Sequence, residues 1–113
     1  MSMKIGTRQV GEVAVVDVEG RIVLGEGSIT LRDTVRDLLG KGQKKILLNL
    51  GDVSYIDSSG IGELVSGFTT VTNAGGQLHL LNLTKRVKDL LQITKLLTIF
   101  AVHEDEAEAI RSF

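Results

Sequence analysis

The apolar positions of this chain change period as it proceeds. Lys4 to Val10 and Glu12 to Val18 read as two strands around Gly11, the second valine-rich as buried strands tend to be, and together they predict a hairpin. From Ser28 to Leu39 the period lengthens. Leu31, Val35, Leu38 and Leu39 fall at i, i+4, i+7 and i+8, with Arg32, Asp33, Arg36 and Asp37 opposite, and Gly40 fits the left-handed position that ends a helix. There follow a strand at 45–50, a helix at 58–73 closed by Asn73-Ala74-Gly75-Gly76, and a strand at 77–82. A helix at 85–93 capped by Thr84, a strand at 98–102 and a short helix from about Asp105 complete the pattern. Strands separated by single helices imply right-handed crossovers. The expected fold is α/β, a four- to five-stranded, mainly parallel sheet with helices along one face.

Composition narrows the class. A chain of 113 residues suits one domain, here residues 1–113 without a linker. No run approaches the ~18 apolar residues of a membrane span, and Met1-Ser2-Met3-Lys4 lacks the apolar stretch of a signal peptide, so no membrane insertion and a cytoplasmic location are expected. The absence of cysteine removes disulfides, thiolate catalysis and cysteine-based zinc sites. Thirteen basic and fourteen acidic residues, interspersed, give no general field for nucleic acid, so the expected partner is a protein. Two basic clusters, Lys41, Lys44 and Lys45 and then Lys85, Arg86 and Lys88, read as solvated ends of elements, with contact to an acidic partner as the alternative.

With no proline, turns rest on the 13 glycines together with Asn and Asp. Gly60, Gly62 and Gly67 nevertheless fall at the start of or inside a helix, where each costs about 0.5–1 kcal/mol relative to alanine. They imply either close packing or a bare surface that lets a partner approach.

The most informative stretch runs from Asn49 to Gly62, where a strand hands over to a helix through Asp57-Ser58-Ser59-Gly60-Ile61-Gly62. First-turn N–H groups lack intrahelical partners there and the helix dipole favours negative charge, so a phosphate on Ser58 or Ser59 would be tolerated. One hydroxyl could cap the helix while the other stays free, and Asp57 is a competing cap that could free both. Enzymatic patterns fail on the same residues. A Gly-x-Ser-x-Gly elbow needs glycine two before the nucleophile, but Asp57 precedes Ser59 and Ile56 precedes Ser58 by that spacing. The two histidines, His79 in a strand and His103 among acidic residues, make a poor general base. His103-Glu104-Asp105-Glu106 reads better as an acidic first turn than as a metal site. Gly25-Glu26-Gly27 lacks the third glycine of a dinucleotide loop. No enzyme activity, cofactor or metal is expected.

Asp57-Ser58-Ser59-Gly60-Ile61-Gly62, preceded by Ile46-Leu47-Leu48-Asn49-Leu50 and followed by Gly75-Gly76-Gln77-Leu78, resembles the signature of the bacterial anti-sigma factor antagonists of the STAS domain family. Leu83 to Leu91 resembles that family's next helix and Leu96 to Phe100 its last strand. The resemblance implies that Ser58 is a phosphoacceptor and that Asp57, Ser58, Ser59, Gly60, Ile61 and Gly62 meet the partner. It implies binding to an anti-sigma factor with serine kinase activity, release of a sigma factor, and a phosphatase acting on phospho-Ser58. The family also supplies an alternative, a regulatory subunit of a lipid-transport ABC system docking on its ATPase without phosphorylation. One departure stands out: Val23 occupies the place of an acidic residue usual after the second strand, and Gly25-Glu26-Gly27 loosens the next loop.

Overall fold

The computed structural model describes residues 3–113; Met1 and Ser2, included in the expected domain and in the reading of the N-terminus, lie outside the described residues. Strands β1 (Met3–Val10) and β2 (Val13–Ile22) form the expected antiparallel hairpin, turning at Gly11, whose φ of 61° suits a residue without a Cβ. Helix α1 (Glu26–Gly40), β3 (Lys45–Ile56), α2 (Ser58–Asn73), β4 (Gln77–Leu81), α3 (Lys85–Ile93), a 3₁₀ turn (Leu97–Ile99), β5 (Val102–His103) and α4 (Glu106–Arg111) follow. The five strands lie in chain order, with β2 to β5 parallel. Each crossover steps in the same direction. With one hand of connection, this puts the intervening helices on one face.

Strand alternation sorts the core into two layers. Ala14, Val16 and Val18 of β2, Ile46, Leu48 and Leu50 of β3, and Leu78 and Leu80 of β4 pack with Leu31, Leu38, Leu64, Val71, Val87 and Leu91 from α1, α2 and α3. The alternate residues Val13, Val15, Leu47 and Leu81 meet Ala109 of α4 on the opposite face. Thus α1 to α3 lie along one face as expected, and α4 covers part of the other.

Several boundaries differ from the sequence reading. β3 continues past Leu50 to Ile56 because Val53 and Ile56 remain buried, while its pairing with β2 slips between Asp17 and Glu19 and again between Gly20 and Arg21. The strand expected at 98–102 is replaced by the 3₁₀ turn and a two-residue β5: Phe100 goes into the core, edge-on to Phe68 at 5.3 Å, and the chain around it bends to deliver it. Helix α1 starts at Glu26, so the Gly25-Glu26-Gly27 segment is less loose than expected. Gly27 is already helical, and a Cβ there would lie 2.9 Å from the Arg21 carbonyl oxygen. The left-handed residue after α1 is Gly42 (φ 83°), with Gly40 still in the helix.

Candidate functional site: the mouth of helix α2

β3 delivers Asp57 in an extended conformation, and its side chain folds forward to cap α2. Its Oδ1 accepts a 2.9 Å hydrogen bond from the Gly60 N–H, while Oδ2 lies 3.5 Å from the Leu24 N–H in the loop between β2 and α1. The Asp57 N–H donates to the Ile22 carbonyl at 3.4 Å. Asp57 therefore closes the turn and ties two loops together at the carboxyl ends of β2 and β3. The cap is the aspartate rather than either serine. Among the described residues, neither serine hydroxyl makes a hydrogen bond; Ser58 is exposed and Ser59 half-buried.

The glycines divide by role. A Cβ on Gly60 would collide with the Ile22 carbonyl oxygen and lie 2.6 Å from Ile56 Cγ1, so only glycine lets α2 seat this closely against β2 and β3. Gly67 has ordinary room, 3.7 Å from Leu78 Cδ1. At Gly62 nothing lies within 4 Å, and the residue is exposed one turn after Ser58. Of the six residues expected to meet a partner, Gly60 and Ile61 are buried, so they position the site rather than present it. Ser58 and Gly62, with Ser66 a further turn along, form the open stripe. Leu24, whose N–H faces Asp57, is 77% exposed, and Ile29 on α1 is 49% exposed. Sequence reading missed these two, since an apolar residue in a loop or on a helix gives no signal of its exposure.

The helix is held from the side as well. Glu63 is buried and receives a bidentate pair from Arg32 of α1, at 2.9 and 3.0 Å. The fork geometry suits a guanidinium on a carboxylate, and it fixes the spacing of α1 and α2.

Neither histidine reaches the serines. His79 and His103 lie on the α4 face, where Ser112 Oγ sits 2.9 Å from His79 Nδ1 and 3.1 Å from His103 Nε2, and the His79 ring stacks on Phe113 at 4.1 Å. Ser112 Oγ also donates to the Ala109 carbonyl at 2.6 Å, so both imidazoles present N–H to it. Burial first, and His103 second, push the His79 pKa below its usual value. In the acidic run, Asp105 caps α4 by accepting from the Glu108 N–H at 2.9 Å, and Glu106 pairs with Arg8. These carboxylates work as a helix start.

Residues 4–109 match the family described as STAS domain. The chain belongs to the STAS domain family. An anti-sigma-B factor antagonist of Bacillus subtilis is 36% identical over 94 residues, covering 83% of this chain and 79% of that one. A Thermotoga neapolitana homologue of TM1081 is 38% identical over 74 residues, 66% of each protein, so the match spans just under two thirds of that relative. The crystal structure of Thermotoga maritima TM1081 superposes with a TM-score of 0.87 at 27% identity, covering 96% of this STAS chain and 92% of that one. Its five-stranded mixed sheet with four helices is the family's architecture. Among the described residues, no helix is long and apolar enough to cross a membrane.

Proposed function

We propose that this STAS chain is an anti-sigma factor antagonist: unmodified, it binds an anti-sigma factor through the mouth of α2 and so frees a sigma factor. Phosphorylation of Ser58 by that partner, acting as a serine kinase, ends the interaction, and a phosphatase restores it. The chain is substrate and ligand here, not catalyst. The observation that carries the reading is the exposed Ser58 hydroxyl, free of hydrogen bonds among the described residues because Asp57 already caps the helix. The names of the relatives support the partner class.

The mechanism is local. A phosphoserine adds about −1.5 to −2 charges beside Asp57, and first-turn N–H groups and the helix dipole stabilise that anion in the free protein. A partner surface fitted to a neutral hydroxyl and to the bare Gly62 would have to desolvate a dianion, so binding weakens without refolding. The lipid-transport alternative draws no support from the relatives reported above.

The test supplies the cognate kinase and ATP, then maps the added mass. Phosphate at Ser58, unchanged melting temperature and lost affinity on the same sample are expected, with Ser58→Ala binding constitutively. Modification confined to Ser59, or equal affinity of both forms, overturns the reading.

A further inference from the structure

The carboxyl end of β3 holds a second arrangement that the Ser58 switch does not use. Tyr55, opposite Arg21 in the pairing of β3 with β2, has the Arg21 guanidinium 5.0 Å and the Arg86 guanidinium 4.1 Å from its ring centroid. Arg86 comes from the first turn of α3, so three elements converge on one ring. The ring attracts each cation but does not neutralise it, and the two positive groups repel one another. The neighbouring Lys85 of α3, by contrast, is paired with Asp89 at 2.6 Å. Among the described residues, the Arg21 and Arg86 guanidiniums pair with no carboxylate. Stacking fixes a guanidinium in place and leaves its in-plane N–H donors available, as bidentate recognition of a carboxylate requires.

An apolar strip continues from this pair. Leu90 and Ile93 follow Arg86 at i+4 and i+7, on the same side of α3, and share with it an open groove. Ile93 is 76% exposed. At 1.5 Å per residue the strip places an aliphatic contact about 10 Å from the arginines. A free inorganic anion would satisfy the guanidiniums and leave this strip in water. A peptide carrying both carboxylates and aliphatic side chains satisfies both.

We propose that Arg21, Tyr55, Arg86, Leu90 and Ile93 form a docking surface for an acidic–aliphatic segment of a protein partner, separate from the phosphoacceptor. It stands whether or not Ser58 is phosphorylated.

The probe is a blocked helical peptide with two glutamates in its first turn and two leucines two turns later, titrated into the isotope-labelled protein and followed by NMR. Saturable shifts at Tyr55, Arg86, Leu90 and Ile93 are expected. Replacing the glutamates by glutamine, or the arginines in an Arg21→Gln, Arg86→Gln double variant, should weaken binding tenfold or more, and Ile93→Ser several-fold, with melting temperatures unchanged. Equal binding of the glutamine peptide, or shifts centred elsewhere, overturns the proposal. So does arginine-dependent sedimentation with phosphatidylglycerol vesicles in the absence of peptide binding, which would assign the surface to a membrane.

Discussion

The two faces of the sheet are built from different materials. One is a dry layer in which Leu48, Leu64, Leu80 and Leu91 from strands and helices interdigitate with almost no exposure. The other has a smaller apolar patch around Ala109, edged by Ile110 and Phe113, and is tied further by polar groups. Arg8 of β1 holds Asp17 of β2 at 2.7 Å and Glu106 of α4 at 2.6 Å. Asp17 accepts from Asn49 of β3 at 2.8 Å, and Asn49 accepts in turn from Asn82 at 3.3 Å. The helix with the candidate switch rests on the dry face. Apart from the Arg32–Glu63 pair at its side, its anchor is shape and burial, which an added surface charge does not weaken, whereas α4 relies more on groups whose strength depends on protonation and salt.

The largest expected contrast comes from shortening one side chain on each face. Leu64→Ala should cost about 2–5 kcal/mol, because Leu64 is fully buried and a cavity would remain. Ile110→Ala, half-buried on α4, should cost about 1 kcal/mol, since water can fill part of the space. Urea denaturation of both variants measures this, and equal costs would erase the distinction between faces.

Acid should sharpen it next. His79 titrates lower in the fold than its ordinary ~6.5 in the unfolded chain, so the unfolded state takes up the proton first. The stability linked to His79 is therefore present above pH ~6.5 and is lost as pH falls toward its depressed folded value. The facing groups are His103 of β5, Ser112, and Phe113. Hydrogen bonds from Arg8 hold the Asp17 and Glu106 carboxyls below their usual range, so their contributions fade only as pH falls past about 4. Amide exchange at pH 5 should accelerate in α4 before it changes in α2, and His79→Gln should remove the first step.

The smallest effect belongs to the open stripe of α2. Gly62→Ala should raise stability by up to ~1 kcal/mol, because the site is helical and a methyl would meet no neighbour. A loss of stability would show that the helix needs this glycine for packing; retained stability with tenfold weaker partner binding would place Gly62 in the docking surface.

Local chemistry was legible in the sequence, and long-range pairing was not. The periods at 28–39 and 58–73 announced α1 and α2, and Asp57-Ser58 marked the strand-to-helix junction, because these signals lie within one or two turns of each other. The rest of β3 was hidden by turn-forming Gly51 and polar Asp52 and Ser54 at exposed positions. Nothing near Glu63 shows that it is buried, since its counter-charge arrives from Arg32, 31 residues earlier. The apolar run at Leu96–Phe100 looked like a strand because a buried plug and a buried strand have the same composition. Lys85 and Arg86 looked alike as surface charges, yet one is neutralised by Asp89 and the other sits on Tyr55.

The chain-order arrangement of strands also sets a timetable. As the polypeptide emerges during synthesis, every strand from β2 onward finds its one preceding neighbour already made, and none has to be inserted between two that have closed. Each closure spans little more than a helix, so the entropy lost per step grows slowly. The seam between Arg8 and Glu106, 98 residues apart, is then the last to form, so a growing chain has α2 and its candidate site in place before β1 and α4 are joined.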